Sequence, residues 1–427
     1  MPKPLNEWTA TEIVQAVSSG RSTAEAVVRA CLERVAAREA EVGAWTTIDP
    51  ELVLIQAREF DRRGSGGAIA GVPFAVKDII DTADYPTEFG SPIHRGRHAH
   101  RDAACVALSK KAGGIVMGKS VTMPFPDMTA GKTRNPVDTA RTPGGSSSGS
   151  AAAVADCMVP LALGTQTTGS TIRPASFCGV VGYRPTWGEH RLHGVLEVSG
   201  SVDTLGVLAR SVEDVALYRD VLLGTPHEPL PDDAPAPRIA FCRTKLWDQV
   251  AAPVQKLAEG AADDLRRAGA TVIETELPAE FDRLAEAHRW IAGYEFARVF
   301  TWEIEHHAER INEYSRKRRI ADGLACDFST YIGHIEYAER ARLRMDDMWS
   351  DYDVIITPAA TNEAPLGWDA IAGANWYMIW TVLHLPVVSV PVFTGPNGMP
   401  VGLQVFARRH RDRELFSAAR WIQRHLT

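Results

Sequence analysis

The chain has 427 residues, 45% of them hydrophobic and 23% charged, with a formal net charge of −7. That length supports a large buried core, and the mildly acidic balance excludes the strong basic footprint of a nucleic-acid binder. No run of about 18–20 apolar residues offers a membrane span, the start Met1-Pro2-Lys3-Pro4-Leu5 lacks the apolar stretch of a signal peptide, and six cysteines without a C-x-x-C pair predict reduced thiols in the cytoplasm.

Thr9 and Thr23 stand before apolar-periodic runs and predict helices over 9–20 and 23–38, and helical periodicity resumes over 50–63. Strand-like runs at 72–76, 115–119 and 161–165 then alternate with predicted helices at 103–112 and 150–156. Beyond residue 186 the alternation resumes with a strand at 207–209, a helix at 212–223 and a strand at 238–241. This pattern predicts an α/β sheet flanked by helices, with ligands at strand ends. No Ser/Gly linker or composition break divides the chain, so it reads as one large domain.

Residues 254–350 read as long, charged helices. Their aromatics, Trp290, Tyr294, Phe296, Phe300, Trp302 and Tyr314, recur at roughly helical intervals and predict core stripes. The basic run Arg316-Lys317-Arg318-Arg319 follows the acids Glu303, Glu305, Glu309 and Glu313, which predicts a solvated helix face. Near the end, 353–358, 387–391 and 398–404 read as strands, and 375–380 as a helix capped by Asn375. Its Trp376, Tyr377 and Trp380 suit either the core or an apolar wall of a pocket. His94, His98, His100, His306 and His307 lack ligand spacing and are expected at the surface, so no metal is expected. Cys178 is expected as a buried structural thiol.

Chemistry concentrates in three segments. Gly144-Gly145-Ser146-Ser147-Ser148-Gly149-Ser150 and Gly164-Thr165-Gln166-Thr167-Thr168-Gly169-Ser170 each set a glycine-rich turn beside an apolar run, which presents backbone N–H groups and a hydroxyl together. Gly71-Val72-Pro73-Phe74-Ala75-Val76-Lys77-Asp78 delivers a lysine toward the interior. Serine is a weak nucleophile and needs a base; no His-bearing segment has the form of a triad partner, whereas a lysine made neutral by desolvation can serve. A second serine between them lets a proton travel over two hydrogen bonds. Taken singly, a Gly/Ser run reads as a flexible loop and a strand-end lysine as solvated.

Jointly, the spacing of these segments and the closing Gly182-Tyr183-Arg184-Pro185-Thr186 resemble the amidase signature family along nearly the whole chain. The resemblance implies a single domain with a central mixed β-sheet flanked by helices, in which 254–350 is a variable helical insertion near the substrate entrance. It implies Lys77 as general base, Ser146 as bridging serine after a cis Gly145–Ser146 peptide, and Ser170 as the acylated nucleophile. Backbone N–H groups of Thr167, Thr168, Gly169 and Ser170 would form the oxyanion hole. The implied activity is cleavage of a C–N bond in a carboxamide or related amide, carbamate or ester. No cofactor, nucleic acid or membrane partner is implied, and a homo-oligomer remains open. Two alternatives stand beside it: an A-type subunit of a glutamine-dependent amidotransferase, and a non-catalytic binding protein on the same scaffold. The family often has Asp at Gln166, Gly at Thr168, and its arginine two rather than three residues after the nucleophile, where this chain has Arg173. We expect a hydrogen-bond scheme to replace an ion pair there, and Thr168 to narrow the site.

Overall fold

The structure is a computed structural model that describes residues 3–64, 66–125, 129–367 and 374–427. Its strands are β1 (Trp45–Thr47), β2 (Pro73–Lys77), β3 (Ile115–Ser120), β4 (Leu161–Gln166), β5 (Val181–Arg184), β6 (Thr204–Ala209), β7 (Arg238–Cys242), β8 (Thr271–Thr275), β9 (Val354–Pro358), β10 (Val387–Thr394) and β11 (Pro400–Ala407). They form an 11-stranded sheet in the order β1-β3-β2-β4-β6-β5-β10-β11-β9-β7-β8. The β3–β2–β4 and β9–β7–β8 neighbours are parallel and the middle pairs antiparallel, so the sheet is mixed. β2, β3 and β4 are buried along their whole length, which is why they read as continuous runs with little alternation.

Helices cover the sheet. Val212–Leu223, Ala252–Arg267 and Asp412–Leu426 pack on the sheet, the last of them against both others, while Ser148–Ala155 and Ile172–Cys178 pack together and reach β4, β5, β10 and β11. Local chemistry sets their ends. Thr9 and Glu12 form a reciprocal capping box at the start of Ala10–Ser18, and Asp49 caps Pro50–Arg63 with Pro50 in its first turn.

The segment expected to be helical throughout departs from that reading. Ala252–Arg267 and β8 belong to the sheet and its helical cover, because β8 completes a parallel edge against β7 and Ala252–Arg267 packs on β8 and β9. From Leu284 onward the chain does build a helical layer, of Leu284–Val299, Thr301–His307 and Phe328–Asp347 with shorter turns between them. Leu284–Val299 packs on the helix Ala374–Val382. Asn375 lies inside that helix rather than capping it. Among the described residues no helix is long and apolar enough to cross a membrane.

Candidate active site

β2 and β4 are parallel neighbours, so their C-terminal ends meet at one edge of the sheet. Lys77 is the last residue of β2 and is fully buried. Its Nζ donates to Ser146 Oγ at 2.7 Å and to Thr165 Oγ1 at 2.8 Å. Burial pushes its pKa well below the usual lysine value, opposed by the negative charge of Asp203. Asp78, next in sequence, turns away to Lys119 at 3.5 Å.

The serine-rich turn is tethered by its other serines. Ser147 Oγ donates to Thr165 O at 3.2 Å, Ser150 Oγ donates to Leu163 O at 2.9 Å and contacts Ser120 Oγ at 2.7 Å. Ser146 alone in this run meets the lysine, and the Gly145–Ser146 peptide is cis. Gly149 is required by close approach, since a Cβ there would lie 2.2 Å from Ala44 O.

The turn 167–170 is held from several sides. Thr167 Oγ1 donates to Asp203 at 2.6 Å, and the same carboxylate accepts from Val198 N and Ser199 N at 2.7 and 2.8 Å. His288 contacts Thr167 O through Nε2 at 2.8 Å; burial pushes this imidazole down to about 4, so it is neutral and Nε2–H is the donor. Thr381 Oγ1 donates to Thr168 O at 2.5 Å. The Tyr377 ring lies flat against Gly169, where a Cβ would stand 2.4 Å from Tyr377 Cγ. Among the described residues, the N–H groups of Thr167, Thr168, Gly169 and Ser170 donate to no protein acceptor, and the Ser170 hydroxyl has no hydrogen-bond partner. Ser170 is tied by its backbone, which accepts from Ser147 N at 3.2 Å.

The departures from the family pattern have visible partners. Gln166 Oε1 accepts from Thr171 N and Ile172 N at 3.0 and 3.1 Å, satisfying the first turn of Ile172–Cys178, and its Nε2 donates to Thr381 Oγ1 at 3.2 Å. Arg173 is buried with its guanidinium 4.9 Å from the centre of the Tyr377 ring. Thr168 faces a cavity of about 560 Å³, with His288, Asn375 and Met378 nearby and Lys317 and Arg318 at its exposed end. The basic run is therefore exposed as expected, but part of it lines this cavity.

Several contributors carried little local signal. Thr165 sits in an apolar strand, Asp203 in a loop, and His288 and Thr381 in helices whose contacts to the turn span 121 and 213 residues of sequence. Trp376 is core, its Nε1 donating to Pro358 O at 2.9 Å, Trp380 stacks on Phe406, and Tyr377 packs against Gly169 of the turn. Cys178 is buried, and burial pushes its thiol pKa up. Among the described residues no group of three His, Cys, Asp or Glu side chains is placed to hold a metal ion.

The family model described as Amidase matches residues 26–416. The chain is 32% identical to the glutamyl-tRNA(Gln) amidotransferase A subunit of Anaeromyxobacter sp. (strain K), across 99% of this chain and 96% of that one. It is 30% identical to the protein of the same name from Agathobacter rectalis, across 97% and 93%. Among solved structures it resembles the peptide amidase from Stenotrophomonas maltophilia, with 27% identity, a TM-score of 0.87 and coverage of 100% and 98%. It also resembles a chain from an inhibitor-bound vestigial protein complex bearing on the origins of an s-triazine catabolic enzyme, with 28% identity, a TM-score of 0.90 and coverage of 98% and 100%. The mixed sheet, the lysine and the two serine turns are thus accompanied by a match along most of the sequence, and the chain belongs to the amidase signature family.

Proposed function

We propose that this protein is a serine amidase that cleaves the C–N bond of a small carboxamide, or of a related amide, carbamate or ester, through an acyl-enzyme on Ser170. The observation that carries this reading is the buried Lys77, whose Nζ lies 2.7 Å from Ser146 Oγ and whose charged form burial disfavours. A neutral lysine takes a proton from Ser146 as Ser146 takes one from Ser170, and Ser170 Oγ attacks the carbonyl carbon. The N–H groups of Thr167, Thr168, Gly169 and Ser170 receive the oxyanion, each such donor being worth ~10²–10³ in rate. The proton returns through Ser146 to the leaving nitrogen, and water then releases the acyl group by the same route. The entrance lies beneath the helical layer within 254–350, since Leu284–Val299 supplies His288 beside the turn. Six free cysteines, five of them buried, support the cytoplasmic reading.

A second reading is an amidotransferase A-type subunit, favoured by the names of relatives at 30–32% identity. The alignment with the Anaeromyxobacter protein spans 476 positions against 427 residues here, so that relative carries segments this chain lacks. Ammonia release from a panel of amides by the purified chain alone supports the amidase; activity only with a co-purifying second protein supports the amidotransferase. A protein that a fluorophosphonate does not label would be a binding protein instead.

A further inference from the structure

The basic run Arg316-Lys317-Arg318-Arg319 has no part in the chemistry above, yet three of its four residues line the cavity that reaches Thr168. Arg316–Ile320 forms a single π-helical turn between the short helices Glu313–Ser315 and Ala321–Ala325. Such turns change the direction of neighbouring side chains and recur at functional sites.

Cations stand at the exposed end of this wall. The lining holds the cations Arg289, Lys317, Arg318 and Arg319 and the carboxylates Glu286 and Asp322. Both carboxylates are already engaged: Asp322 accepts from Arg289 Nε at 2.7 Å, and Glu286 accepts from Arg283 Nε at 2.8 Å. Lys317 pairs with Glu313 at 2.5 Å, but both side chains are well exposed, and exposed i,i+4 pairs exchange readily with other partners. The Arg318 guanidinium lies 5.5 Å from the centre of the Tyr314 ring, which steadies it at the rim. Among the described residues the buried end of the lining is uncharged, with Thr168, the neutral His288 and Met378. Cations at the mouth of a concave site raise the local concentration of ligands of the opposite sign.

We infer that the cavity takes an amide whose far end carries a carboxylate, held by Lys317 and Arg318 while the scissile carbonyl sits at the 167–170 turn. This rests on the amidase reading. The volume of about 560 Å³ suits a small molecule spanning both ends. A neutral far end would leave these cations to water and gain nothing from them.

The test is kcat/KM by ammonia release for matched amides of graded length, one member of each pair ending in a carboxylate and the other in an uncharged hydroxymethyl group. The wild-type protein should prefer the carboxylate by roughly tenfold at low salt, with the preference shrinking as salt screens these exposed charges. The double variant K317A/R318A should lose most of that preference, and K317R/R318K should retain it. Equal or better use of the neutral member, or a preference that survives in K317A/R318A, would overturn the inference. So would a protein whose Ser170 reacts with a fluorophosphonate but which hydrolyses no carboxylate-ended amide. Absence of both labelling and turnover would instead overturn the amidase reading beneath it.

Discussion

At the scale of single residues, the account depends on one hydroxyl and one amine. Ser170 Oγ has no hydrogen-bond partner among the described residues, so Ser170→Ala removes nothing the fold uses. Turnover should disappear while the denaturation midpoint stays close to that of the wild type. Lys77→Ala should be nearly as damaging, and the double variant scarcely worse than either, because groups acting as a unit lose activity non-additively. Additive losses would mean that the relay is wrong. The direction of the lysine shift sets the pH dependence. In the proposed mechanism Lys77 works deprotonated, so kcat/KM should rise with pH through its depressed pKa to an alkaline plateau; a steady fall from about pH 6 to 9 in a folded protein would exclude it as base. Thr168, which the sequence singled out as a departure, lines the cavity. Thr168→Gly should shift the preference between a small and a bulky matched amide by about 1–3 kcal/mol, read as a change in the ratio of kcat/KM values.

At the scale of elements, what aligns the site is the set of ties between the 167–170 turn and its neighbours. Gln166 satisfies two buried N–H groups at the start of Ile172–Cys178. Gln166→Leu leaves both without an acceptor, and should destabilise the protein by about 2–6 kcal/mol in urea titration, since each orphaned buried donor costs about 1–3 kcal/mol. A loss under about 0.5 kcal/mol would mean that another group caps this helix. Asp203 does two things at once, because it accepts from Thr167 and its charge holds the Lys77 pKa up. Burial pushes Asp203 itself up to about 6, so above that pH it is ionised and opposes deprotonation of the lysine. Asp203→Asn removes that charge, lowers the lysine pKa and should move the rising limb of kcat/KM toward acid, a shift that a purely structural role would not produce. The sequence showed most of the strands, both glycine turns and Lys77, because each rests on local composition, but it showed no strand at Trp45–Thr47 or Val181–Arg184. It hid Asp203, His288 and Thr381, whose partners lie far along the chain. It also read 271–275 as helical, since that edge strand is short and mostly exposed, and lacks a buried apolar run.

At the scale of the whole molecule, the parallel pair β2 and β4 brings the lysine and the 167–170 turn to one edge, while the C-terminal segment braces the other side of the turn. The closing motif does that bracing. Arg184 donates to Leu385 O and Thr381 O, fixing the end of the helix that carries Tyr377, and Tyr183 and Thr186 both bond Asp412 at the start of the last helix. That family motif reads as part of the scaffold rather than of the chemistry, which spacing alone does not disclose. The most direct test of the account is peptide mapping by mass spectrometry after reaction with a fluorophosphonate. The predicted result is one adduct per chain, on Ser170, formed rapidly by the native protein and slowed by orders of magnitude in Lys77→Ala. An adduct on Ser146 or elsewhere, or labelling of Ser170 that does not depend on Lys77, would contradict it.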